Sequence, residues 1–359
     1  MGSEGISIDM LYVGHGEAII IHVKQKVFTE HNWIILVDGG KKSDSGKIIQ
    51  HLENYSFKES GKREIDLIIS THPDRDHIGG LFNIIKTFGR EGIKKIWIHD
   101  PTNHYSFYND LIYRAQKRIE TWFWSSIYQI SKESYELVVA GLIDGINLVE
   151  LIKKYQIPFE EPFANLSFAD FLRVLGPSLD FYKNLITEET IEQFLDQFSI
   201  DAEIYEDKEE SDALESMFNP CPIVDENNET SAINNSSVIF EININTDRYL
   251  FTGDAGVEAF ENIGFDNIEN IHWLKVPHHG SRRNLTSGII ETMKPKISYI
   301  SAEGTRKHPR KALVNCLAKH GSYVYSTHKN KKTLRHFTKI MPDRKGWEEA
   351  EPIATPNNF

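Results

Sequence analysis

The stretch that decides the fold reads Thr71-His72-Pro73-Asp74-Arg75-Asp76-His77-Ile78-Gly79-Gly80. It follows an apolar run at 65–70 that is typical of a buried strand, and it leads into a segment with helical spacing at 78–88. Imidazoles and carboxylates crowded into such a loop would repel one another and lose hydration unless a cation bound them. The pattern therefore predicts a metal site formed by His72, Asp74, Asp76 and His77. The alternative is an ordinary surface turn.

Length and composition are those of an ordinary globular chain. Its 359 residues can bury one large core or two modest ones, and 40% are hydrophobic and 26% charged. No apolar stretch reaches the length of a membrane span, and residues 1–5 lack the features of a signal peptide. Cys221 and Cys316 indicate neither a disulfide framework nor a thiolate metal site. We therefore expect a cytoplasmic protein without membrane contact, whose metal is held by histidines and carboxylates.

Charge is distributed unevenly along the chain, whose net charge is −12. Residues 281–345 carry sixteen Lys and Arg against three Asp and Glu, whereas residues 188–229 carry fifteen acidic side chains and a single lysine. The acidic segment is best interpreted as a solvated face. The basic segment follows the last metal-type motif and favours a negatively charged polymer as partner, although a solvated face is the alternative there too.

Strand and helix patterns recur in two halves of the chain. Strands are predicted at 6–13, 18–23, 33–38, 65–70, 93–99, 236–244, 248–254, 271–277, 297–301 and 323–326, and helices at 45–55, 78–88 and 309–319. This alternation predicts an α/β sandwich of sheets with helices outside. We place the first half at 1–102, a largely helical and then acidic insertion at 103–231, the second half at 232–345 and a tail at 346–359. The insertion could cover the site or contact a protein partner or a second copy.

Four further segments follow predicted strands and offer polar side chains. Asp38 precedes paired glycines, where it is either a ligand or a structural hydrogen-bonding group. Asp254 ends a buried strand, as expected of a bridging carboxylate. His278 and His279 are adjacent, so that one can bind metal while the other orients or donates. His308 stands beside cations before a helix, or is simply an exposed loop histidine.

In this order the motifs resemble the metallo-β-lactamase superfamily, and within it the ComEC-like branch, named for a domain attached to bacterial DNA-uptake channels. The resemblance covers about residues 5–100 and 232–330. The segment from His72 to His77 matches the HxDxDH form of the family motif, and 234–237 looks like an NxxS segment that replaces a metal-binding histidine. The branch opening DVGQGDA is matched with His15 and Glu17 in place of its Gln and Asp.

The resemblance implies an αββα sandwich with two divalent metal ions at one edge of the sheets. One ion would be held by Asp76, His77, His278 and Asp254, and the other by His72, Asp74 and Asp254. Exchange of imidazole for carboxylate hardens a site, so Mn²⁺ is favoured, while Zn²⁺ and Mg²⁺ are also compatible.

The function implied is that of a metal-dependent hydrolase, a nuclease or phosphodiesterase that acts on DNA by two-metal activation of a bridging water. Asp76, His279 and His308 are the catalytic candidates, and Asp38 and Glu17 would support the ligands. The predicted substrate contacts are Asn234, Ser237, Ser281, Arg282, Arg283, Arg306, Lys307 and Arg310. The alternatives are a hydrolase of a small phosphodiester, nucleotide, ester or lactone, and a degenerate binding or scaffold module. Work inside the cell as a defence effector is one setting that the resemblance admits.

Overall fold

The computed structural model describes residues 3–26, 30–104, 113, 117, 129–185, 187, 221–225, 228–305, 308–345, 347 and 349–356. The strands are β1 Ser3–Met10, β2 Ile19–Lys26, β3 Glu30–Val37, β4 Leu67–Ile69, β5 Ile96–Trp97, β6 Phe159–Glu160, β7 Ser167–Phe168, β8 Leu172–Gly176, β9 Ile239–Ile244, β10 Asp247–Phe251, β11 Trp273–Lys275, β12 Ile297–Ile300, β13 Tyr323–Ser326 and β14 Leu334–Phe337. They form two seven-stranded sheets. The order is β14-β1-β2-β3-β4-β5-β6 in the first and β13-β12-β11-β10-β9-β8-β7 in the second.

Helices cover the outer face of each sheet. The α-helices are α1 Ser45–His51, α2 Phe57–Ser60, α3 Arg75–Ile78, α4 Leu81–Gly92, α5 Gln129–Lys154, α6 Leu179–Leu185, α7 Cys221–Val224, α8 Ala232–Asn235, α9 Val257–Ile263, α10 Ser287–Met293 and α11 Lys311–Lys319. A π-helical turn at Leu52–Ser56 joins α1 to α2. Short 3-10 turns lie at Lys42–Asp44, Pro101–Asn103, Phe265–Ile268, His278–Gly280 and Lys329–Lys331.

Three buried apolar clusters separate the four layers. The central cluster lies between the sheets and includes Trp97, Phe240 and Trp273. One outer cluster joins the helices around α4 to the first sheet, and the other joins α9, α10 and α11 to the second. The predicted αββα sandwich is therefore confirmed.

The direction of the central strands determines at which edge of the sandwich the candidate site lies. In the first sheet β3 and β4 run parallel, and in the second sheet β10 and β11 do. Parallel central strands are buried on both faces, which explains why Leu67–Ile69 and Trp273–Lys275 are fully buried. Because the carboxyl ends of parallel strands meet at one edge, the loops after these four strands converge.

The metal-type loop after β4 packs against the loop after β3 through backbone alone. The Gly39 N–H donates to the His77 carbonyl at 2.6 Å, and the Gly80 N–H donates to the Gly40 carbonyl at 3.1 Å. A Cβ added to Gly80 would lie 2.0 Å from the Gly39 oxygen. The paired glycines in both loops are therefore required by close approach of the two chains.

The predicted insertion contributes to the sandwich itself. Strands β6, β7 and β8 fall within 103–231, and β6 extends the first sheet while β7 and β8 extend the second. Helix α5 packs on the site side, where Arg75 forms an ion pair with Asp144 at 2.7 Å and a Cβ on Gly141 would lie 3.1 Å from the Pro73 oxygen. Most of the aromatic run at 105–128 and of the acidic stretch at 188–220 lies outside the described residues. The boundaries of the insertion stay a prediction.

The two cysteines are paired, contrary to the expectation that they provide no disulfide. Cys221 in α7 and Cys316 in α11 form a disulfide with a Cα–Cα distance of 5.1 Å. They are 95 residues apart in sequence, and spacing alone carries no information about a contact between two packed helices. The disulfide lends no support to a reducing compartment, so the cytoplasmic location stays a prediction. Within the described residues, no helix combines the length and apolarity needed to cross a bilayer.

Candidate metal centre

Four imidazoles surround one carboxylate oxygen where the two sheets meet. Oδ2 of Asp254 lies 3.4 Å from Nε2 of His77 and 3.8 Å from Nε2 of His279. The Nε2 atoms of His72 and His278 each lie 4.0 Å from the same oxygen. His72 and His77 come from the loop after β4 of the first sheet. Asp254, His278 and His279 follow strands of the second sheet. Asp254 is therefore the centre of the cluster, and its role as a bridging ligand stays a prediction.

Two further carboxylates face this cluster from opposite sides. Oδ2 of Asp74 lies 3.5 Å from Nε2 of His72, and Oδ2 of Asp76 lies 3.4 Å from Nε2 of His279. The donors thus divide into a group around His72 and a group around His279, with Asp254 between them. All six predicted metal ligands are brought together, and His279 stands nearer to Asp76 than the predicted assignment implies.

The two histidines of the first sheet are held in one tautomer by Asp38 and Thr71. Asp38 accepts hydrogen bonds from Nδ1 of His77 at 2.8 Å and from the Thr71 hydroxyl at 2.7 Å. Because that hydroxyl has a single proton, the 3.0 Å contact between Thr71 Oγ1 and His72 Nδ1 requires the imidazole to donate. Both rings consequently present Nε2 to the cluster. A carboxylate that orients an imidazole through its second nitrogen is typical of metal-binding histidines, and the supporting role of Asp38 stays a prediction.

His279 is oriented in the same way by a backbone carbonyl. Its Nδ1 donates to the Ser301 oxygen at 2.9 Å, which directs Nε2 towards Asp76. Both His278 (φ 46°) and His279 (φ 52°) have left-handed backbone conformations, which are uncommon for residues other than glycine. Such strain persists where the surrounding structure requires it, and it is concentrated at functional sites.

The donor set fits a divalent cation. Nε2 of His72 and Nε2 of His77 are buried and have no hydrogen-bond partner within the described residues. Burial lowers the pKa of His77, but the carboxylates of Asp254 and Asp38 more than offset it, so the pKa is raised well above 6.5. Burial opposes ionisation of Asp254, yet His77 and its neighbours hold the pKa of that carboxyl well below its usual range. Unpartnered nitrogens beside an ionised carboxylate are what bound metal would satisfy.

His278 and His308 lie at the mouth of the cluster. The His278 side chain is 32% exposed, and its Nδ1 lies 3.3 Å from the Asn234 amide nitrogen. Burial and the neighbouring imidazoles lower the pKa of His308 to about 2. His308 is therefore a neutral imidazole at physiological pH and can offer an N–H but no positive charge. Its predicted contribution to charge stabilisation would have to come from that N–H.

The predicted substrate contacts have different environments. The Ser237 hydroxyl is fully buried and accepts the Asp254 N–H at 3.0 Å, so it holds the turn that carries the bridging carboxylate. Ser281 is also largely buried. Arg282 and Arg283 directly follow the His278–Gly280 turn, and the Arg310 N–H donates to the Gly280 carbonyl at 3.0 Å. Arg306 and Lys307 lie outside the described residues.

Part of the basic segment has a structural role. Arg344 donates to Asp9 at 2.7 Å and also binds Glu59, while Arg335 lies 3.6 Å from Asp9. The side chains of these two cations are buried beside Asp9 of β1 and Glu59 of α2. Their charges are counted in the cationic excess of residues 281–345, but they do not belong to an exposed surface that an anionic polymer could contact.

Lys275 is a site residue that the sequence analysis missed. It is fully buried at the end of β11, where its ammonium forms an ion pair with Glu17 and donates to the Gly253 carbonyl at 2.6 Å. It also lies 3.5 Å from Oδ1 of Asp254, the oxygen that faces away from the imidazoles. In the sequence, Lys275 is marked as unusual because it is the one charged residue within the apolar run Trp273–Val276. Glu17 is thus connected to Asp254 through Lys275, and the supporting role expected of Glu17 stays a prediction.

The chain is similar to one protein family and to two known proteins. The model of the metallo-beta-lactamase superfamily matches residues 29–140, which include Asp38 and the segment from His72 to His77. ComE operon protein 3 of Bacillus subtilis (strain 168) is 31% identical over 101 residues, which are 27% of this chain and 13% of that protein. The chain thus spans about an eighth of the length of this relative. A solved structure described as a new diphosphatase from the PhnP family covers 94% of this chain and 98% of its own, with a TM-score of 0.42 and 10% identity.

The two-sheet fold is of the metallo-β-lactamase type, and residues 29–140 match the model of that superfamily. Over the matched residues it is similar to ComE operon protein 3.

Proposed function

We propose that this protein is a metal-dependent phosphodiesterase that hydrolyses DNA. The observation that carries the proposal is the cluster of oriented imidazoles and carboxylates around Asp254, followed at once by the cationic residues Arg282 and Arg283. His72, Asp74 and Asp254 would hold one cation. Asp76, His77, His279 and Asp254 would hold the other, with His279 as a ligand in place of the His278 first expected.

The bound cations would supply Lewis-acid activation of water and of a phosphoryl oxygen. The protein contributes ligands whose tautomers are already set by Asp38, Thr71 and the Ser301 carbonyl, so little reorganisation is needed. Burial opposes ionisation of Asp76, but the hydrogen bond from His279 and the neighbouring His77 hold the pKa of Asp76 well below its usual range. Asp76 therefore remains an ionised carboxylate throughout the physiological range.

His278 and His308 are proposed to contact the substrate. Their rings lie 5.5 Å apart at the mouth of the cluster, and burial lowers the pKa of both. As neutral imidazoles they would donate N–H groups to phosphate oxygens. The guanidinium groups of Arg282, Arg283 and Arg310, beside the same turn, would attract the phosphate backbone. The resemblance to the ComEC-like branch and the excess of cations at 281–345 favour a nucleic acid, and DNA in particular.

A second candidate is hydrolysis of a small phosphoester. A narrow pocket opens beside His72 and is lined by Pro73 of the metal loop, Leu142 of α5, His99 and Tyr182. The pocket is small, and the rings of Tyr182 and His99 contact each other in its wall with centroids 4.5 Å apart. This pocket favours a small leaving group close to the metal centre.

The test is cleavage of circular and linear, single- and double-stranded DNA by protein stripped of metal and resupplied with Mn²⁺, Zn²⁺ or Mg²⁺. Asp254→Asn should abolish cleavage, whereas Asp247→Asn, at the start of the same strand β10 and away from the centre, should cleave normally. A small aryl phosphodiester is assayed in parallel. Hydrolysis of that compound with no cleavage of any DNA would reject the nuclease in favour of the second candidate.

A further inference from the structure

His15 is an imidazole of the metal centre to which the family resemblance assigns no role. It lies in the loop between β1 and β2, on the side of the cluster where Asp76 and His279 meet. One potential ligand atom of each of His15, Asp76 and His279 lies within 4.8 Å of the others. The His15 ring is 4.7 Å from that of His279 and stacks on that of His308 at 5.9 Å.

The loop that carries His15 is fixed to the backbone of the metal motif. The Glu17 N–H donates to the Asp76 carbonyl at 3.0 Å, and the Gly40 N–H donates to the Glu17 carbonyl at 2.7 Å. A Cβ added to Gly16 would lie 2.8 Å from the Asp76 oxygen, which shows how closely the two chains approach. His15 is therefore held beside Asp76 by backbone contacts on its carboxyl-terminal side.

Ser301 links the same loop to His279. Its hydroxyl donates to the Gly16 carbonyl at 2.8 Å, and its own carbonyl accepts the His279 Nδ1–H at 2.9 Å. One residue thus sets the orientation of the His279 imidazole and the position of the segment that carries His15. The position of His15 beside the cluster is therefore fixed by the same residue that orients His279.

We propose that His15 is a ligand of the metal ion held by Asp76 and His279, so that this half of the centre binds through an additional imidazole. The inference rests on the proposed metal-dependent function. The proposed role of His15 predicts a set of metal ligands that is softer than the carboxylate-rich motif at 72–77 suggests. Imidazole suits Zn²⁺ while carboxylate suits Mn²⁺, so His15 would shift the preference of this half of the centre towards Zn²⁺.

The experiment measures metal binding directly. Zn²⁺ and Mn²⁺ are titrated by calorimetry into metal-free protein, and the visible absorption of bound Co²⁺ reports the number of nitrogen donors. His15→Gln should weaken Zn²⁺ binding at one site by about 10-fold or more, with a smaller effect on Mn²⁺ and a changed Co²⁺ spectrum. His15→Glu, which restores a ligand atom of the harder type, should recover Mn²⁺ binding more fully than Zn²⁺ binding.

His51→Gln is the matched control, because it removes a buried imidazole that is bonded to Asp9 and does not belong to the cluster. It should leave the Zn²⁺ affinity and the Co²⁺ spectrum unchanged. Wild-type Zn²⁺ affinity in His15→Gln, or equal losses in His15→Gln and His51→Gln, would overturn the proposal. Since these measurements need no substrate, a protein that binds Zn²⁺ through His15 but cleaves no DNA would contradict the nuclease proposal alone.

Discussion

Lys275 and Glu17 form an ion pair from which solvent is excluded, directly behind Asp254, the carboxylate that lies between the two groups of candidate metal ligands. Burial acts to lower the pKa of Lys275, but the carboxylates of Glu17 and Asp254 outweigh it and raise that pKa. The lysine is therefore a permanent cation inside the protein. Through the Gly253 carbonyl and Asp254 Oδ1 it fixes the turn after β10.

Lys275→Met should destabilise the protein by about 3–5 kcal/mol, because Glu17 would remain buried without its cation. The measurement is the free energy of unfolding in urea for the metal-free protein. Lys275→Met combined with Glu17→Gln should be clearly less destabilised than the sum of the two single variants. Additive losses would mean that the two side chains do not act as a pair.

Asp38→Asn should weaken metal binding by about 10- to 100-fold, because the amide cannot accept all the hydrogen bonds that now orient His77 and Thr71. Calorimetric titration with Zn²⁺ or Mn²⁺ measures the loss. Asp66→Asn is the matched control, since this buried carboxylate, directly before β4, also accepts a backbone N–H, from Ile34 at 2.7 Å, away from the centre. It should lower stability and leave metal affinity intact. Equal metal affinity in the two variants would contradict the role assigned to Asp38.

Glu59 should make stability depend on pH in the acid range. Although burial opposes its ionisation, the bond from Arg344 and the contact with His22 lower the pKa of Glu59 from 4.5 to about 2. A depressed folded-state pKa stabilises the native state above pH 4.5, and this contribution is lost as the pH falls from about 4.5 to 2. Over that window it amounts to roughly 3 kcal/mol.

Glu59→Gln should remove this part of the pH dependence when the free energy of unfolding is measured between pH 2 and 6. Glu64→Gln, which alters an exposed ion pair with Lys94, should leave the pH profile unchanged. An identical profile for Glu59→Gln and the wild-type protein would show that the Arg344 cluster does not depend on this charge.

Reduction of the Cys221–Cys316 disulfide should lower the free energy of unfolding by about 2–4 kcal/mol, because the bond closes a long loop in the unfolded chain. Urea unfolding with and without a thiol reductant measures the difference. Cys221→Ser with Cys316→Ser should match the reduced protein and be insensitive to the reductant. Titration of two free thiols in the native, oxidised preparation would contradict the pairing.

Much of the architecture could be predicted because local patterns coincide with it. The strand predicted at 323–326 has the observed bounds, the predicted runs at 65–70 and 271–277 contain β4 and β11, and the run at 248–254 overlaps all but the first residue of β10. Three short strands at 159–176 were not predicted, since two to five residues paired at a sheet edge show no periodicity.

The ligand types could also be predicted, but their arrangement could not. Spacing brings His72, Asp74, Asp76 and His77 into one loop, whereas the relative roles of His278 and His279 depend on two left-handed backbone conformations. The support from Ser301 and Lys275 depends on contacts between segments distant in sequence. Such contacts are set by the packing of the two sheets, for which a single sequence gives no local signal.

The division of the donors between the two sheets has a consequence during synthesis. His72, Asp74, Asp76 and His77 emerge from the ribosome early, but Asp254 and His279 belong to strands made much later. A nascent chain can therefore offer only half of a coordination sphere until both sheets exist and have docked. If the mature protein cleaves nucleic acid, translation itself delays the moment at which that capacity appears.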